Sequence, residues 1–306
     1  MIIAVFPGQG SQTPGFLTPW LDLDGARERL EAYSEHAQVD LVAAGTEWDA
    51  DAIRDTSVAQ PLIVAASLLS WSALTSGTTA RPTGVAGHSV GEVPALVASG
   101  VLSEDDGLRL VGIRGRAMAD AAAVEQTGMS AVLGGDQDAV IARLTELDLT
   151  PANYNGGGQI VAAGALAPLA ELAAEPVKGT RVIPLQVAGA FHTRYMAPAV
   201  ETLRAAAAEV TASDPHTTLW TNRDGSIVAD GRGAVDLLVA QVANPVRWDL
   251  CMESFAAAGV TGIIEFSPAG TLVGLAKRAL RGVPAVAVKT PEDLAAATAL
   301  LTGEGA

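Results

Sequence analysis

The segment Gly87-His88-Ser89-Val90-Gly91-Glu92 constrains this chain more than any other. It reads G-x-S-x-G between an apolar run at 83–86 and a helix-like run at 93–98. A strand, a sharp turn and a helix put the Ser89 hydroxyl at the apex of the turn, the arrangement of a nucleophile elbow. Gly87 and Gly91 suit the flanks, because neighbouring backbone passes so close that a Cβ would clash. The Val90 N–H, at the helix start, is free to meet an oxyanion. The chemistry indicated is acyl transfer through a covalent serine ester. A tight turn between glycines is the plainer reading, so the rest of the chain must decide.

With 306 residues, 49% of them hydrophobic and only 4% aromatic, the chain can bury a large core of tightly packed helices and strands. Cys251 is the single cysteine. That excludes an internal disulfide, argues against a cysteine zinc site and fits a reducing cytoplasm. Residues 1–6 lack a basic leader and run into Pro7-Gly8, so they read as a buried first strand and not a signal peptide. The longest apolar stretch, 61–74, is too short and serine-broken to span a bilayer and reads as a buried helix. A net charge of −15 disfavours nucleic acid. Lys277, Arg278 and Arg281 are the local exception. On a helix through 275–282, Lys277 and Arg281 share a face. The cluster reads either as a docking patch for an acidic partner or as an ordinary solvated helix end. The expectation is a monomer that binds neither nucleic acid nor membrane.

The first part alternates strand and helix: a strand at 2–6, helices to about 74, a strand at 84–87, then helices at 92–99 and 103–123. Such alternation predicts a mainly parallel sheet with helices on both faces. The rhythm changes after 125. Strands at 129–133, 149–155, 159–163 and 180–187, with helices at 136–147 and 166–174, give the order βαββαβ of ferredoxin-like folds. The predicted class is therefore α/β: a core of 1–124 and 189–306, with a ferredoxin-like insert at 125–188. A helix at 197–210 and strands at 218–221 and 262–265 resume the core. The tail after Pro291 reads as helical, with frayed last residues.

A serine nucleophile needs a general base, and the chain has four histidines. His36 lies in a charged helix and His216 in a surface turn. His88 adjoins Ser89, but neighbours around a tight elbow point apart. His192 remains, in a loop just after the insert and so at a wall between two domains. Pro7-Gly8-Gln9-Gly10 follows the first strand, where α/β proteins place functional loops; the Gln9 N–H is a second candidate oxyanion donor. The loop lacks the pattern of a phosphate-binding or dinucleotide fingerprint. Arg114 sits in an apolar helix, and a buried arginine there needs a carboxylate or phosphate, from a ligand or from one of the chain's own acids.

Pro7-Gly8-Gln9-Gly10-Ser11-Gln12, Ala59-Gln60-Pro61, Gly87-His88-Ser89-Val90-Gly91-Glu92, Arg114-Gly115, Phe191-His192 and Asn244-Pro245-Val246 together resemble the malonyl-CoA:acyl carrier protein transacylases, in the same order and over nearly the whole chain. The resemblance implies a hydrolase-like α/β core with a ferredoxin-like insert. It implies Ser89 as nucleophile, His192 as base, the Gln9 and Val90 amides as oxyanion hole, and Arg114 on the free malonyl carboxylate. It also implies that Gln241 orients His192 through its main-chain carbonyl, that His88 and Phe191 contact substrate, and that Phe191 selects malonyl over methylmalonyl. Malonyl-CoA and acyl carrier protein are the implied partners, with no metal or other cofactor, in the supply of fatty-acid synthesis. Pro94 in the elbow helix and the Gly156-Gly157-Gly158 turn depart from the family pattern. The competing expectations are a serine esterase or thioesterase, a noncatalytic carboxylate-binding protein, and an acyltransferase of a polyketide pathway.

Overall fold

The computed structural model describes residues 1–304. In chain order its strands are β1 (Ile2–Phe6), β2 (Gly84–Gly87), β3 (Thr127–Gly134), β4 (Thr150–Gly156), β5 (Gln159–Ala165) and β6 (Thr180–Pro184), followed by β7 (Thr218–Trp220), β8 (Ile227–Val228), β9 (Val246–Arg247), β10 (Gly262–Glu265) and β11 (Ala285–Ala287). They form two sheets, ordered β11-β10-β1-β2-β7-β8 and β6-β3-β5-β4-β9. The larger sheet is parallel except at its edge, where β8 runs antiparallel to β7. The fold is thus α/β with mixed sheets.

Burial explains the larger sheet. Successive side chains of a strand point to opposite faces. Accordingly Ala4 and Phe6 of β1 join one hydrophobic cluster, while Ile3 and Val5 join another. A strand covered on both faces reads as a continuous apolar run, which is what residues 2–6 are. The first cluster includes helices Thr56–Gly77 and Glu104–Val124; the second includes Trp248–Ala257 and Thr271–Ala279. Ser103 caps Glu104–Val124 by accepting from the Asp106 N–H, as its sequence suggests.

In the smaller sheet β3 pairs antiparallel with β5 and β6, and β4 with β5. Helices Gln137–Glu146 and Leu166–Ala174 complete the order βαββαβ and share a small core with these strands. Gly156, Gly157 and Gly158 all adopt left-handed φ, of 72°, 57° and 77°, which glycine alone takes without strain. β9, from beyond residue 188, adds to this sheet by pairing parallel with β4.

Four expectations need correction. Helix Thr56–Gly77 runs 22 residues and by length and hydropathy could cross a bilayer; 72% of its apolar window is buried, which makes it a core helix. The strand expected at 180–187 ends at Pro184. Helix Thr271–Ala279 stops before Arg281, so Lys277 and Arg281 do not share a helix face. Strands β8, β9 and β11 and helix Gly231–Gln241 were not read from the sequence. Helix Leu294–Thr302 matches the helical tail; the fraying expected of the last residues lies outside the described ones.

Candidate active site

β2 delivers the chain to the elbow, and a single turn, Ser89–Gly91, leads into helix Glu92–Ala98. Both flanking glycines are required by close approach. A Cβ on Gly87 would overlap the Gly91 carbonyl, and one on Gly91 would overlap the Phe6 carbonyl of β1. Ser89 itself has φ 53°, uncommon for a residue other than glycine. That conformation is clamped from outside. Asn222, just after β7, accepts the Ser89 N–H on Oδ1 at 2.7 Å and donates from Nδ2 to the Gly87 carbonyl at 2.6 Å.

His192 also has a left-handed φ, of 61°. Its Nδ1 lies 2.8 Å from the Gln241 main-chain carbonyl, and its Nε2 lies 2.7 Å from Ser89 Oγ. The carbonyl can only accept, so Nδ1 carries the proton. Nε2 is then the acceptor for the Ser89 hydroxyl. Burial, helped by the charge of Arg114, lowers the imidazole to about 3, so it stays neutral, with the Nε2 lone pair free to accept, at ordinary pH.

Arg114 is 1% exposed. It donates to Gln60 Oε1 at 2.6 Å and to Gln241 Oε1 at 2.9 Å, and its buried Nε has no partner among the described residues. Two of a guanidinium's five N–H donors are thus engaged, both by amides and neither by a carboxylate. Burial brings Arg114 down to about 10, opposed by the charge of nearby Glu92.

A cavity of about 280 Å³ opens in front of Ser89. The Gly8-Gln9-Gly10 loop, Gln60, Val90, Phe191 and His192 form one side, Asn155 and Val161 of the smaller sheet another, and Leu272 and Leu275 of helix Thr271–Ala279 a third. Gln9, in the loop after β1, and Val90, in the turn that follows Ser89, both border this cavity. His88 lies on the wall, with Nε2 donating to Asn155 Oδ1 at 2.8 Å and its ring edge-on to Trp248. Burial lowers its pKa. Arg114 lies behind the wall, reached through Gln60.

The structure therefore brings Ser89, His192, Gln9, Val90, Phe191 and His88 to one cavity, with Gln241 and Arg114 behind them. Lys277, Arg278 and Arg281 are exposed on and just beyond the helix that lines the cavity with Leu272 and Leu275. His36 and His216 lie elsewhere: His36 pairs with Asp105 at 3.3 Å, and His216 is exposed. Sequence reasoning missed Asn222 and the inward role of Glu92. Gln60 stands in the Ala59-Gln60-Pro61 motif, but its bond to Arg114 is visible only in the fold. Cys251 is buried beneath Asn222, and burial pushes its thiol up. Among the described residues no group of three or more His, Cys, Asp or Glu side chains is placed to hold a metal ion.

The family model for the acyl transferase domain matches residues 3–298. A malonyl CoA-acyl carrier protein transacylase of Mycobacterium bovis is 53% identical over 296 residues, covering 96% of this chain and 98% of that protein. The chain belongs to the malonyl CoA-acyl carrier protein transacylase family. Its fold agrees with this membership. The crystal structure of the transacylase from Mycobacterium tuberculosis superposes with a TM-score of 0.93 at 53% identity, covering 96% of this chain and 98% of that one. A solved complex of a type II polyketide acyl-carrier protein with its malonyl-transacylase superposes with a TM-score of 0.91 at 29% identity, covering 99% of both chains.

Proposed function

We propose that this member of the family transfers the malonyl group of malonyl-CoA to the phosphopantetheine thiol of acyl carrier protein. The observation that carries the reading is the unbroken Ser89–His192–Gln241 hydrogen-bond chain opening on a cavity. Ser89 Oγ attacks the thioester carbon as His192 Nε2 takes its proton. The Gln9 and Val90 amides receive the charge that develops on the carbonyl oxygen. The C–S bond breaks, and His192 returns the proton to the leaving CoA sulfur. In the second half the carrier thiol gives its proton to His192 and attacks the malonyl-serine ester, and Ser89 leaves with the proton restored. No cofactor enters these steps.

Arg114 is the group for the free malonyl carboxylate. It is buried, charged and bound only to amides, and so keeps donors for a bidentate partner. Phe191, beside the base on the cavity wall, would crowd a methyl on C2 of the acyl group, and His88 would form part of the acyl wall. Lys277, Arg278 and Arg281 make a basic surface near the cavity for an acidic carrier. The smaller sheet, with β6-β3-β5-β4 at its heart, supports a ferredoxin-like insert at 125–188 in a hydrolase-like core of 1–124 and 189–306. The proposed setting is a monomer in the cytoplasm supplying fatty-acid synthesis. Supply of a polyketide pathway is the second reading, favoured by the likeness to the polyketide carrier complex.

A thioesterase would use the order serine, acid, histidine. Here the His192 Nδ1 rests on a carbonyl and not on an acid. The test is the fate of the loaded enzyme. Purified malonyl-enzyme is expected to persist in buffer and discharge onto holo carrier protein; rapid loss to water with no gain from the carrier would contradict the reading.

A further inference from the structure

Glu92 closes the elbow motif and takes no part in the steps above, yet its carboxylate is buried in the polar network behind the site. Its Oε1 accepts the Asn222 main-chain N–H at 2.6 Å, and its Oε2 accepts Gln241 Nε2 at 2.6 Å. Those two residues hold the reacting pair. Asn222 clamps the Ser89 N–H and the Gly87 carbonyl, and Gln241 offers its carbonyl to His192 and its Oε1 to Arg114. The supports of nucleophile and base thus converge on one side chain.

The Asn222 N–H and Gln241 Nε2 are both donors to Glu92, so its two carboxylate oxygens must both accept. An ionised carboxylate supplies them. A glutamine would turn an NH₂ toward one of the donors, and a protonated acid would turn its O–H there. Gln241 Nε2 also reaches the Ser89 carbonyl and Asn222 Oδ1, each at 3.2 Å, so the loss falls on the Asn222 N–H, and a buried donor left without an acceptor costs more than the bond was worth. We propose that Glu92 is a positioning residue: as a carboxylate it locks Gln241 and Asn222, and through them it sets the approach of His192 to Ser89. The proposal rests on Ser89 as nucleophile and His192 as base, and not on the identity of the acyl group.

Glu92 is faced by Arg114 from helix Glu104–Val124, by the Cys251 thiol from helix Trp248–Ala257, by Thr221 and Asn222 after β7, and by Gln241 at the end of helix Gly231–Gln241. Arg223 and Arg247 line a cavity of about 420 Å³ that also reaches Glu92. Burial pushes the Glu92 carboxyl up to about 7, against the pull of its Asn222 and Thr221 bonds and of Arg114. His192 does not take a proton in that range, because it is lowered to about 3. As pH falls through about 7 Glu92 gains a proton, loses an acceptor and releases its hold, so serine reactivity drops there.

The test uses a small serine-directed probe, phenylmethanesulfonyl fluoride, and follows modification of Ser89 by intact mass across the neutral pH range. The wild-type rate is expected to fall on the acid side of about pH 7. Glu92→Gln is expected to react about 10- to 100-fold more slowly, the size of one buried charge-assisted bond, with no acid limb there. Glu92→Asp keeps two acceptors on a shorter arm; its rate should lie between the two, with the acid limb retained. A wild-type rate in Glu92→Gln, or a lower rate that keeps the acid limb, overturns the proposal. If Glu92→Gln does not fold, Glu92→Asp decides: a slowed rate with an acid limb supports it, and a wild-type rate overturns it. A wild type unmodified at Ser89 also overturns it. Malonyl loading is scored separately on the same proteins, so failure of the malonyl reading leaves this one standing.

Discussion

Ser89 was legible because its glycines and its place between strand and helix are local signals. His192 was legible by elimination among four histidines. Asn222 and Glu92 carry no such signal. An asparagine after a short strand and a glutamate at a helix start are ordinary in sequence, and only the packing of separate segments makes them a clamp. Arg114 gives a sharp prediction. Lysine offers a point charge where arginine offers a planar fork. Arg114→Lys should therefore slow loading from malonyl-CoA by about 10- to 100-fold while changing loading from acetyl-CoA little, measured as kcat/KM for each. Equal losses on both would remove Arg114 from carboxylate recognition. His192 bears on stability as well. Its folded pKa lies near 3, against an ordinary value of 6.5. Between these values the unfolded chain binds a proton that the native state refuses. This group therefore makes stability fall as pH drops from 6.5 toward 3. His192→Gln should lessen that slope in denaturant titrations taken across the window.

At the scale of elements, the long apolar helices and the buried strand at 2–6 could be read from pattern. Strands β8, β9 and β11 could not, because two or three residues show no period. The most consequential of them is β9, which ties the smaller sheet to the returning chain next to Gln241. The elbow is the least forgiving element. Gly87→Ala places a methyl against the Gly91 carbonyl and the Glu92 N–H, backbone that cannot swing aside. It should cost at least about 2 kcal/mol in urea unfolding, if the protein is recovered at all. Gly157→Ala is a contrasting case. Its φ of 57° costs a side chain about 1 kcal/mol, and a Cβ there would meet the Arg278 side chain and no backbone atom. A small drop in Tm with unchanged malonyl loading is expected.

For the whole molecule, an acidic chain with a basic spot beside its cavity has a direction of approach built in. Composition gave the sign of the charge, but the helix end at Ala279 separates Arg281 from Lys277 and Arg278. Lys277→Glu with Arg278→Glu should weaken transfer to carrier protein about tenfold and leave acylation by CoA unchanged, with added salt producing the same loss in the wild type. A loss in both half-reactions, or in neither, would rule out that surface. The central claim is the malonyl-serine intermediate itself. Its most direct measurement is the intact mass of wild-type and Ser89→Ala protein after brief mixing with malonyl-CoA. A single malonyl adduct on the wild type, absent from Ser89→Ala, is the predicted result. An unmodified wild type, or an adduct that survives in Ser89→Ala, would contradict the account.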